Sequence, residues 1–180
     1  LGVGFEKMLE RSYLWVLTRV KFKIFSQPKS YQKVKIKTWP LQPHRLNYRR
    51  EYCIENENGE RLIIGSSEWL VINSQKRSFV SVENLYPFND DFCEEKMFEG
   101  KLSKVSDFET EETPYIVNAR FNELDINNHV NNTKYANYVL DAINPSNARE
   151  LESFQIDYRK EVLQGAQLNI CHKKQENIIL

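Results

Sequence analysis

Residues 46–73, LNYRREYCIENENGERLIIGSSEWLVIN, predict a long β-hairpin that organises the first half of the chain. The turn lies at residues 56–59, NENG, because asparagine and glycine tolerate the positive φ angles of tight hairpin turns. Both arms are rich in aromatic and β-branched residues, which fit a pleated, half-buried surface. These residues are Tyr48, Tyr52 and Ile54 before the turn and Ile64, Trp69 and Val71 after it.

The segments around the hairpin predict further strands and one helix. In residues 20–24, VKFKI, and again in residues 33–39, KVKIKTW, apolar residues alternate with polar ones, as they do in half-buried strands. The opening residues 1–15 predict a helix instead, because their apolar residues recur at helical spacing. Residues 84–113 are acidic and irregular, and they predict a solvated connecting segment.

The second half of the chain repeats the apolar pattern of the first half at an offset of 134 residues. The matched positions are Val20 and Phe154, Phe22 and Ile156, Ile24 and Tyr158, Val34 and Leu168, and Ile36 and Ile170. Such duplication predicts two copies of one α+β module, in which a long helix lies along an antiparallel sheet. A strand at residues 115–121 precedes the second helix only, and the hairpin follows the first copy only. We therefore expect the chain to be truncated at both ends.

Composition excludes several classes of function. The chain has 180 residues, is 41% hydrophobic and 28% charged, and carries a formal net charge of zero. A balanced charge does not favour a nucleic-acid binder, and no run of about 18 apolar residues predicts a membrane span. Cys53, Cys93 and Cys171 are widely spaced and form neither a metal pattern nor a disulfide framework. A cytoplasmic protein without metal or cofactor fits these features.

The richest cluster of chemically capable residues lies in residues 119–132, ARFNELDINNHVNN. Asp125, Asn127 and His129 occupy alternate positions, so their side chains would project to one side of an extended segment. A helical run follows at residues 134–143. Aspartate and asparagine also dominate turns and helix caps, so the cluster taken alone is compatible with a purely structural role.

Two separated motifs resemble the acyl-acyl-carrier-protein thioesterases, enzymes of fatty-acid synthesis with a double hotdog fold. DINNHVNNTKY, residues 125–135, is similar to the active-site segment of that family, and DYRKEVLQG, residues 157–165, is similar to its strand with the catalytic glutamate. Residues 13–20 resemble the end of its first helix and the next strand, and residues 33–39 and 66–77 resemble its first hotdog sheet. The resemblance implies an α+β double hotdog fold.

The two copies lead us to hypothesise a division of labour along the chain, because the candidate catalytic residues all lie in the second copy and the first supplies large apolar residues. A first hotdog module without its N-terminal strand, residues 1–83, would bind the acyl chain, and an acidic connecting segment, residues 84–113, would follow it. A second module without its C-terminal strands, residues 114–180, would be catalytic. The implied catalytic residues are Asp125, Asn127, His129 and Glu161. The implied substrate-binding residues are Trp15, Trp69, Asn131 and Asn132, of which the two asparagines also suit helix capping.

The implied reaction is hydrolysis of a fatty acyl thioester on acyl carrier protein, which releases free fatty acid and ends elongation. The implied partner is acyl carrier protein, and no nucleic acid, metal or cofactor is expected. A homodimer is left as an open alternative. The alternative is a non-hydrolytic acyl-thioester-binding or dehydratase-like hotdog protein, because a fold does not fix its chemistry.

The residue types are suited to thioester hydrolysis on chemical grounds. Glu161 beside His129 could serve as general base for water, and amides at the start of the following helix could stabilise the oxyanion. Direct attack by Asp125 to give an anhydride is an alternative route. Some plant members of the family carry a cysteine directly after the glutamate, but Val162 stands there in this chain. A Cys–His nucleophile is therefore not expected.

Overall fold

The structure, a computed structural model, describes residues 4–81, 85, 92–145, 151–176 and 178–180. Contacts divide the chain into two compact units. The first comprises Leu1–Ser103 and Leu151–Asp157, and the second comprises Lys104–Glu150 and Tyr158–Leu180. Within the described ranges, no helix combines the length and the apolar character that crossing a membrane requires.

An antiparallel sheet of six strands dominates the first unit. Its elements are α1 (Phe5–Glu10), β1 (Tyr13–Ile24), β2 (Val34–Pro40), β3 (Tyr48–Asn56), β4 (Arg61–Asn73), β5 (Ser78–Phe79) and, from later in the chain, β7 (Ser153–Asp157). The strands lie in the order β2–β3–β4–β1–β7, and β5 pairs with β4. A core cluster of Met8, Tyr48, Val71, Val80 and Leu85 packs against the partly buried Trp15 and Trp69.

The predicted hairpin is confirmed as β3 and β4, and the two earlier predicted strands are confirmed as parts of β1 and β2. Gly59 in the turn has a φ of +82°, a conformation that glycine adopts without a steric cost. Asn56 closes the turn because its side-chain oxygen accepts hydrogen bonds from the amides of Asn58 at 3.0 Å and Glu60 at 2.9 Å. The NENG turn thus fixes the register in which β3 pairs with β4.

The opening helix is shorter than predicted. It ends at Glu10, and residues 13–15, which the spacing predicts to be helical, belong to β1. Ser12 has a φ of +58°, which turns the chain out of the helix after its amide has donated to the Leu9 carbonyl. The residues that follow are aromatic and β-branched, and they pair with β4 from Tyr13 onward. Pairing with a long neighbouring strand therefore outweighs the helical spacing.

Residues 92–103 have no regular secondary structure, as predicted, but their middle part is not solvated. Met97 is buried, and its amide donates to the Glu51 carboxylate at 3.0 Å. Glu51 is fully buried and ion-paired with Arg49, whose guanidinium also donates to the Phe98 carbonyl at 2.6 Å. Burying a charge is costly unless it is paired, so this segment satisfies charges that the sheet buries.

The second unit contains a longer helix and short strands. Its elements are β6 (Tyr115–Asn118), a short 3-10 helix (Phe121–Glu123), α2 (Asn132–Ile143), β8 (Gln167–Ile170), β9 (Lys174–Gln175) and β10 (Ile178–Ile179). β6 pairs with β8, and β9 pairs with β10. Its core consists of Ala119, Val130 and Tyr138, with Val117, Leu124, Tyr135, Val162, Leu168 and Ile170 packed against them. The predicted strand and helix of this region are confirmed, although the strand ends at Asn118.

The strand β7 lies within the second of the two expected modules, residues 114–180, by its position in the chain, and it pairs with β1 in the sheet of the first unit. Val20 lies opposite Ile156, and Phe22 lies opposite Phe154. These are the strands that the 134-residue offset relates, so two repeated segments lie side by side as antiparallel neighbours. Strand pairing thus places β7 in the first unit, although β7 belongs to the second repeat along the chain.

Candidate active site

A tight turn carries the first part of the candidate site. The Asp125 carboxylate oxygen Oδ1 accepts hydrogen bonds from the amides of Asn127 at 2.8 Å and His129 at 3.2 Å. Asn128 has a φ of +61°, a left-handed conformation that asparagine tolerates. Projection of Asp125, Asn127 and His129 to one side requires an extended segment, and this condition is not met, because the Asp125 side chain bonds its own backbone and closes a turn.

Backbone pairing brings His129 to Glu161. The Val130 amide donates to the Val162 carbonyl at 2.8 Å, and His129 forms a β-bridge with Leu163. As a result, His129 Nε2 lies 3.3 Å from Glu161 Oε2. The His129 side chain is 35% exposed and the Glu161 side chain 65% exposed, so the pair is open to solvent and accessible to a substrate.

The remaining predicted residues of this unit take separate positions. Asn127 is exposed, and in the part of the chain that the structure describes its side chain has no hydrogen-bond partner. Asn131 is the N-cap of α2, since its side-chain oxygen accepts from the Thr133 amide at 3.0 Å. Asn132 is exposed and is the first residue of that helix. The structure thus joins only two of the four candidate catalytic side chains by direct contact, and the capping role predicted for Asn131 is confirmed.

Two tyrosines that the sequence did not single out pack beside this pair. The rings of Tyr135 and Tyr158 meet edge to face with centroids 5.4 Å apart, and the Tyr158 hydroxyl donates to the Asn132 carbonyl at 3.0 Å. Burial raises the pKa of Tyr158 to about 12, and burial together with the nearby charge of Glu161 raises the pKa of Tyr135. Both phenols are therefore protonated at neutral pH. Tyr135 and Tyr158 lie inside the two motifs, and this position was the signal by which the sequence could have pointed to them.

A cavity of about 260 Å3 lies in the first unit, and both predicted tryptophans line it. Its wall consists of Trp15, Pro40, Leu41, Pro43, Tyr48, Arg49, Arg50 and Trp69. The Trp69 ring is held in place because its Nε1 donates to the Ser67 hydroxyl at 2.7 Å, and that hydroxyl lies 3.0 Å from the Tyr52 hydroxyl. The aromatic, proline and leucine residues of this wall suit an apolar ligand, and Arg49 and Arg50 add two charged groups to it.

The cysteines and metal-binding side chains offer no second chemistry in the described residues. Cys53 is buried, and burial followed by the charge of Glu55 raises the pKa of its thiol, which disfavours the reactive thiolate. Cys93 and Cys171 are exposed and free. Within the ranges that the structure describes, no three His, Cys, Asp or Glu side chains come together as a metal site.

Comparison with known proteins identifies the family. Residues 1–88 match the model of the acyl-ACP thioesterase N-terminal domain, and residues 106–180 match that of the acyl-ACP thioesterase C-terminal domain. The chain belongs to the acyl-ACP thioesterase family. His129 and Glu161 both lie in the segment that matches the C-terminal domain, whereas Trp15 and Trp69 lie in the segment that matches the N-terminal domain.

Individual relatives agree with this family. The chain is 27% identical over 175 residues to the palmitoyl-acyl carrier protein thioesterase, chloroplastic, of Arabidopsis thaliana, with 89% of this chain and 42% of the relative covered. It is also 27% identical over 173 residues to the dodecanoyl-[acyl-carrier-protein] hydrolase, chloroplastic, of Umbellularia californica, with 89% and 45% covered. The chain spans less than half the length of these relatives.

Solved structures of the family share the fold. An acyl-ACP thioesterase from Bacteroides thetaiotaomicron superposes with a TM-score of 0.80 at 24% identity, over 96% of this chain and 70% of that one. The 12:0-ACP thioesterase from Umbellularia californica superposes with a TM-score of 0.73 at 24% identity, over 89% and 65%. The predicted α+β hotdog class is confirmed by this likeness and by the antiparallel sheets.

Proposed function

We propose that the protein is a thioesterase that hydrolyses fatty acyl-acyl carrier protein and releases free fatty acid. The observation that carries the proposal is the 3.3 Å contact between His129 Nε2 and Glu161 Oε2, inside the segment that matches the family's C-terminal domain. The relatives are named for the same reaction class, from palmitoyl to dodecanoyl carrier-protein thioesters. Acyl carrier protein is accordingly the proposed partner.

In the proposed mechanism, Glu161 acts as general base and His129 holds the reacting groups in place. Glu161 takes a proton from a water molecule, and the resulting hydroxide adds to the thioester carbonyl. The tetrahedral intermediate then collapses, the carbon–sulfur bond breaks, and the thiolate of the carrier leaves and takes up a proton. His129 orients the water or delivers that proton, because its ring reaches Glu161 directly.

The developing oxyanion needs hydrogen-bond donors, and the start of α2 offers one backbone amide. Asn131 already accepts from the Thr133 amide through its side chain and from the Lys134 amide through its carbonyl. The amide of Asn132, in contrast, has no partner within the residues that the structure describes. Free amides at a helix N-terminus carry partial positive charge, so we assign this amide and the Asn127 side chain as the candidate donors.

The contacts of Asp125 favour the water route over direct attack. Its Oδ1 accepts two backbone hydrogen bonds, from Asn127 and His129. These bonds occupy Oδ1 and hold the group in its turn, which hinders its attack on a bound carbonyl. Asp125 would then act by fixing the backbone from which His129 projects, while Glu161, which is exposed, activates water.

The residues that line the cavity of the first unit are the proposed wall of the acyl-binding site. Trp15, Tyr48 and Trp69 give it an aromatic lining, and a hydrocarbon chain gains about 0.8 kcal/mol for each methylene that is fully buried. Three other large apolar residues of this unit do not line the cavity. Trp39 packs in a separate cluster, and Phe5 and Leu9 are each 54% exposed.

The decisive experiment is a thiol-release assay on the purified protein with acyl-acyl carrier proteins and the matching acyl-coenzyme A thioesters. Release of thiol and free acid supports hydrolysis, and Glu161→Gln should lower kcat by about a hundredfold or more, as expected for loss of a general base. Glu161→Asp is the matched control, because it keeps the carboxylate and should recover part of the rate. Tight binding of acyl carrier protein without release of thiol would favour the non-hydrolytic alternative.

A further inference from the structure

We propose that Tyr158, braced by Tyr135, is a positioning residue that holds Glu161 beside His129. The inference rests on the proposed hydrolysis for its functional part, and its geometry can be tested without any activity. Among the described residues, the polar contact of the Glu161 carboxylate is with His129 alone. A side chain that is 65% exposed and has one contact depends on its backbone for its position.

The backbone of Glu161 is fixed from both directions along the chain. On the C-terminal side, the carbonyl of the next residue, Val162, accepts the Val130 amide at 2.8 Å. On the N-terminal side, the Tyr158 hydroxyl donates to the Asn132 carbonyl at 3.0 Å. The two bonds tie the segment to the residues immediately before α2 and to its first residue. The His129–Glu161 distance is therefore set between these two anchors.

A second contact on the N-terminal side of Glu161 is an ion pair, and it is weak because its side chains are exposed. Arg159 pairs with the Asp107 carboxylate, but these side chains are 42% and 82% exposed. Ion pairs at the surface contribute little because water screens the charges and two long side chains lose freedom. The hydrogen bond of Tyr158 to Asn132 is also exposed, but the Tyr158 ring is half-buried and packs against Tyr135, so this side chain has less freedom to lose than Arg159 has.

Tyr135 keeps Tyr158 in reach of its acceptor. Its ring meets the Tyr158 ring at an interplanar angle of 89°, the edge-to-face arrangement that aromatic rings prefer. Tyr135 and Asn132 are three residues apart on α2, so the bracing ring and the accepting carbonyl lie on one face of the helix. Tyr135 also packs in the core of the second unit, which includes Val162. The helix thus presents both parts of the anchor together.

The chain offers a matched control on the same helix. The Tyr138 hydroxyl donates to the Glu123 carboxylate at 2.8 Å, and burial raises the pKa of Tyr138 to about 12, as it does for Tyr158. Tyr138→Phe removes a hydrogen-bonded tyrosine hydroxyl that is more buried than that of Tyr158 and has no part in the anchor. It should lower the unfolding temperature and leave kcat near that of the wild type.

Kinetics on the purified protein test the functional part. Tyr158→Phe keeps the ring and should lower kcat roughly three- to tenfold with KM nearly unchanged, the factor expected for loss of one hydrogen bond. Tyr135→Leu should lower kcat likewise, and Tyr135→Phe should restore only the part of the loss that is due to the ring, because the Tyr135 hydroxyl also interacts with the backbone of Val162. In a Glu161→Gln background, Tyr158→Phe should cause no additional loss, because the group it positions is gone. Losses that multiply in the double variant would overturn the proposal.

NMR of the His129 imidazole tests the geometry independently of turnover. Glu161→Gln should move the His129 ring signals, and Tyr158→Phe should move them in the same direction, whereas Tyr138→Phe should not. If the wild type fails to hydrolyse thioesters but Tyr158→Phe shifts these signals, the positioning role stands and the proposed function falls. If the wild type hydrolyses thioesters and Tyr158→Phe changes neither these signals nor kcat, the positioning role is refuted and the proposed function survives.

Discussion

Replacing Trp69 with leucine should shift the acyl-length preference of the protein toward longer chains. Trp69 lines the cavity of about 260 Å3, and its indole is fixed by the hydrogen bond to Ser67. Leucine removes most of that ring and opens space at one wall. Two extra methylenes that become fully buried there would add about 1.6 kcal/mol, or roughly 15-fold in kcat/KM, as an upper limit. Incomplete burial makes several-fold per two carbons the expected result.

The assay measures kcat/KM for saturated acyl-acyl carrier proteins in two-carbon steps. Trp39→Leu is the matched control, because Trp39 donates from Nε1 to the Glu95 carbonyl at 2.8 Å and packs against Cys53 and Met97, outside the cavity wall. It should lower the free energy of unfolding by about 2–4 kcal/mol and leave the profile unchanged. A folded Trp69→Leu protein with the profile of the wild type would refute the assignment of this cavity to the acyl chain.

Three further outcomes are expected. Glu161→Gln should lower kcat by a similar factor at every acyl length, and a changed length preference without a change in rate would contradict its role as base. Serine at Cys53, Cys93 or Cys171 should each retain most of the turnover per folded molecule, although at the buried Cys53 it should cost about 1–3 kcal/mol of stability. The Arg120 amide, followed by the Tyr138 hydroxyl, lowers the pKa of Glu123 below its ordinary value of 4.5. The contribution of Glu123 to the free energy of unfolding is therefore fully present at pH values above its ordinary pKa. It is lost as the pH falls through the pKa of Glu123 in the folded protein. Glu123→Gln should therefore lower the unfolding temperature at neutral pH and approach the wild type in acid, and a constant difference would contradict this account.

Much of the fold could be predicted because it depends on short-range chemistry. The NENG turn and its flanking apolar residues locate β3 and β4 correctly, since Asn56 and Gly59 determine the turn locally. The opening helix failed for a non-local reason: residues 13–15 have helical spacing, but pairing with β4 makes them a strand. The placement of β7 beside β1 is likewise a matter of partner choice, which residue patterns do not encode.

The sequence pointed to the two side chains that meet in the candidate site, His129 and Glu161, but not to the geometry around them. His129 and Glu161 lie 32 positions apart in the chain, and only the joint occurrence of two motifs pointed to both. The alternation of Asp125, Asn127 and His129 suggested an extended segment, yet the Asp125 carboxylate can bond amides two and four residues ahead. That competition between side chain and backbone favoured a turn. Tyr158 escaped notice because its role depends on a carbonyl distant in sequence.

The exposure of the His129–Glu161 pair bears on how acyl binding and chemistry depend on one another. The two groups are 3.3 Å apart and both are open to solvent. Their interaction is therefore weak, because water screens it and competes for their hydrogen bonds. A thioester bound over the pair would exclude that water and strengthen the interaction at the moment when Glu161 must accept a proton. The free energy for excluding water has to come from contacts with the rest of the substrate, which are the acyl chain and the carrier. Under the proposed function, contacts remote from the carbonyl would therefore raise kcat as well as lower KM, and selectivity for chain length would be selectivity in rate.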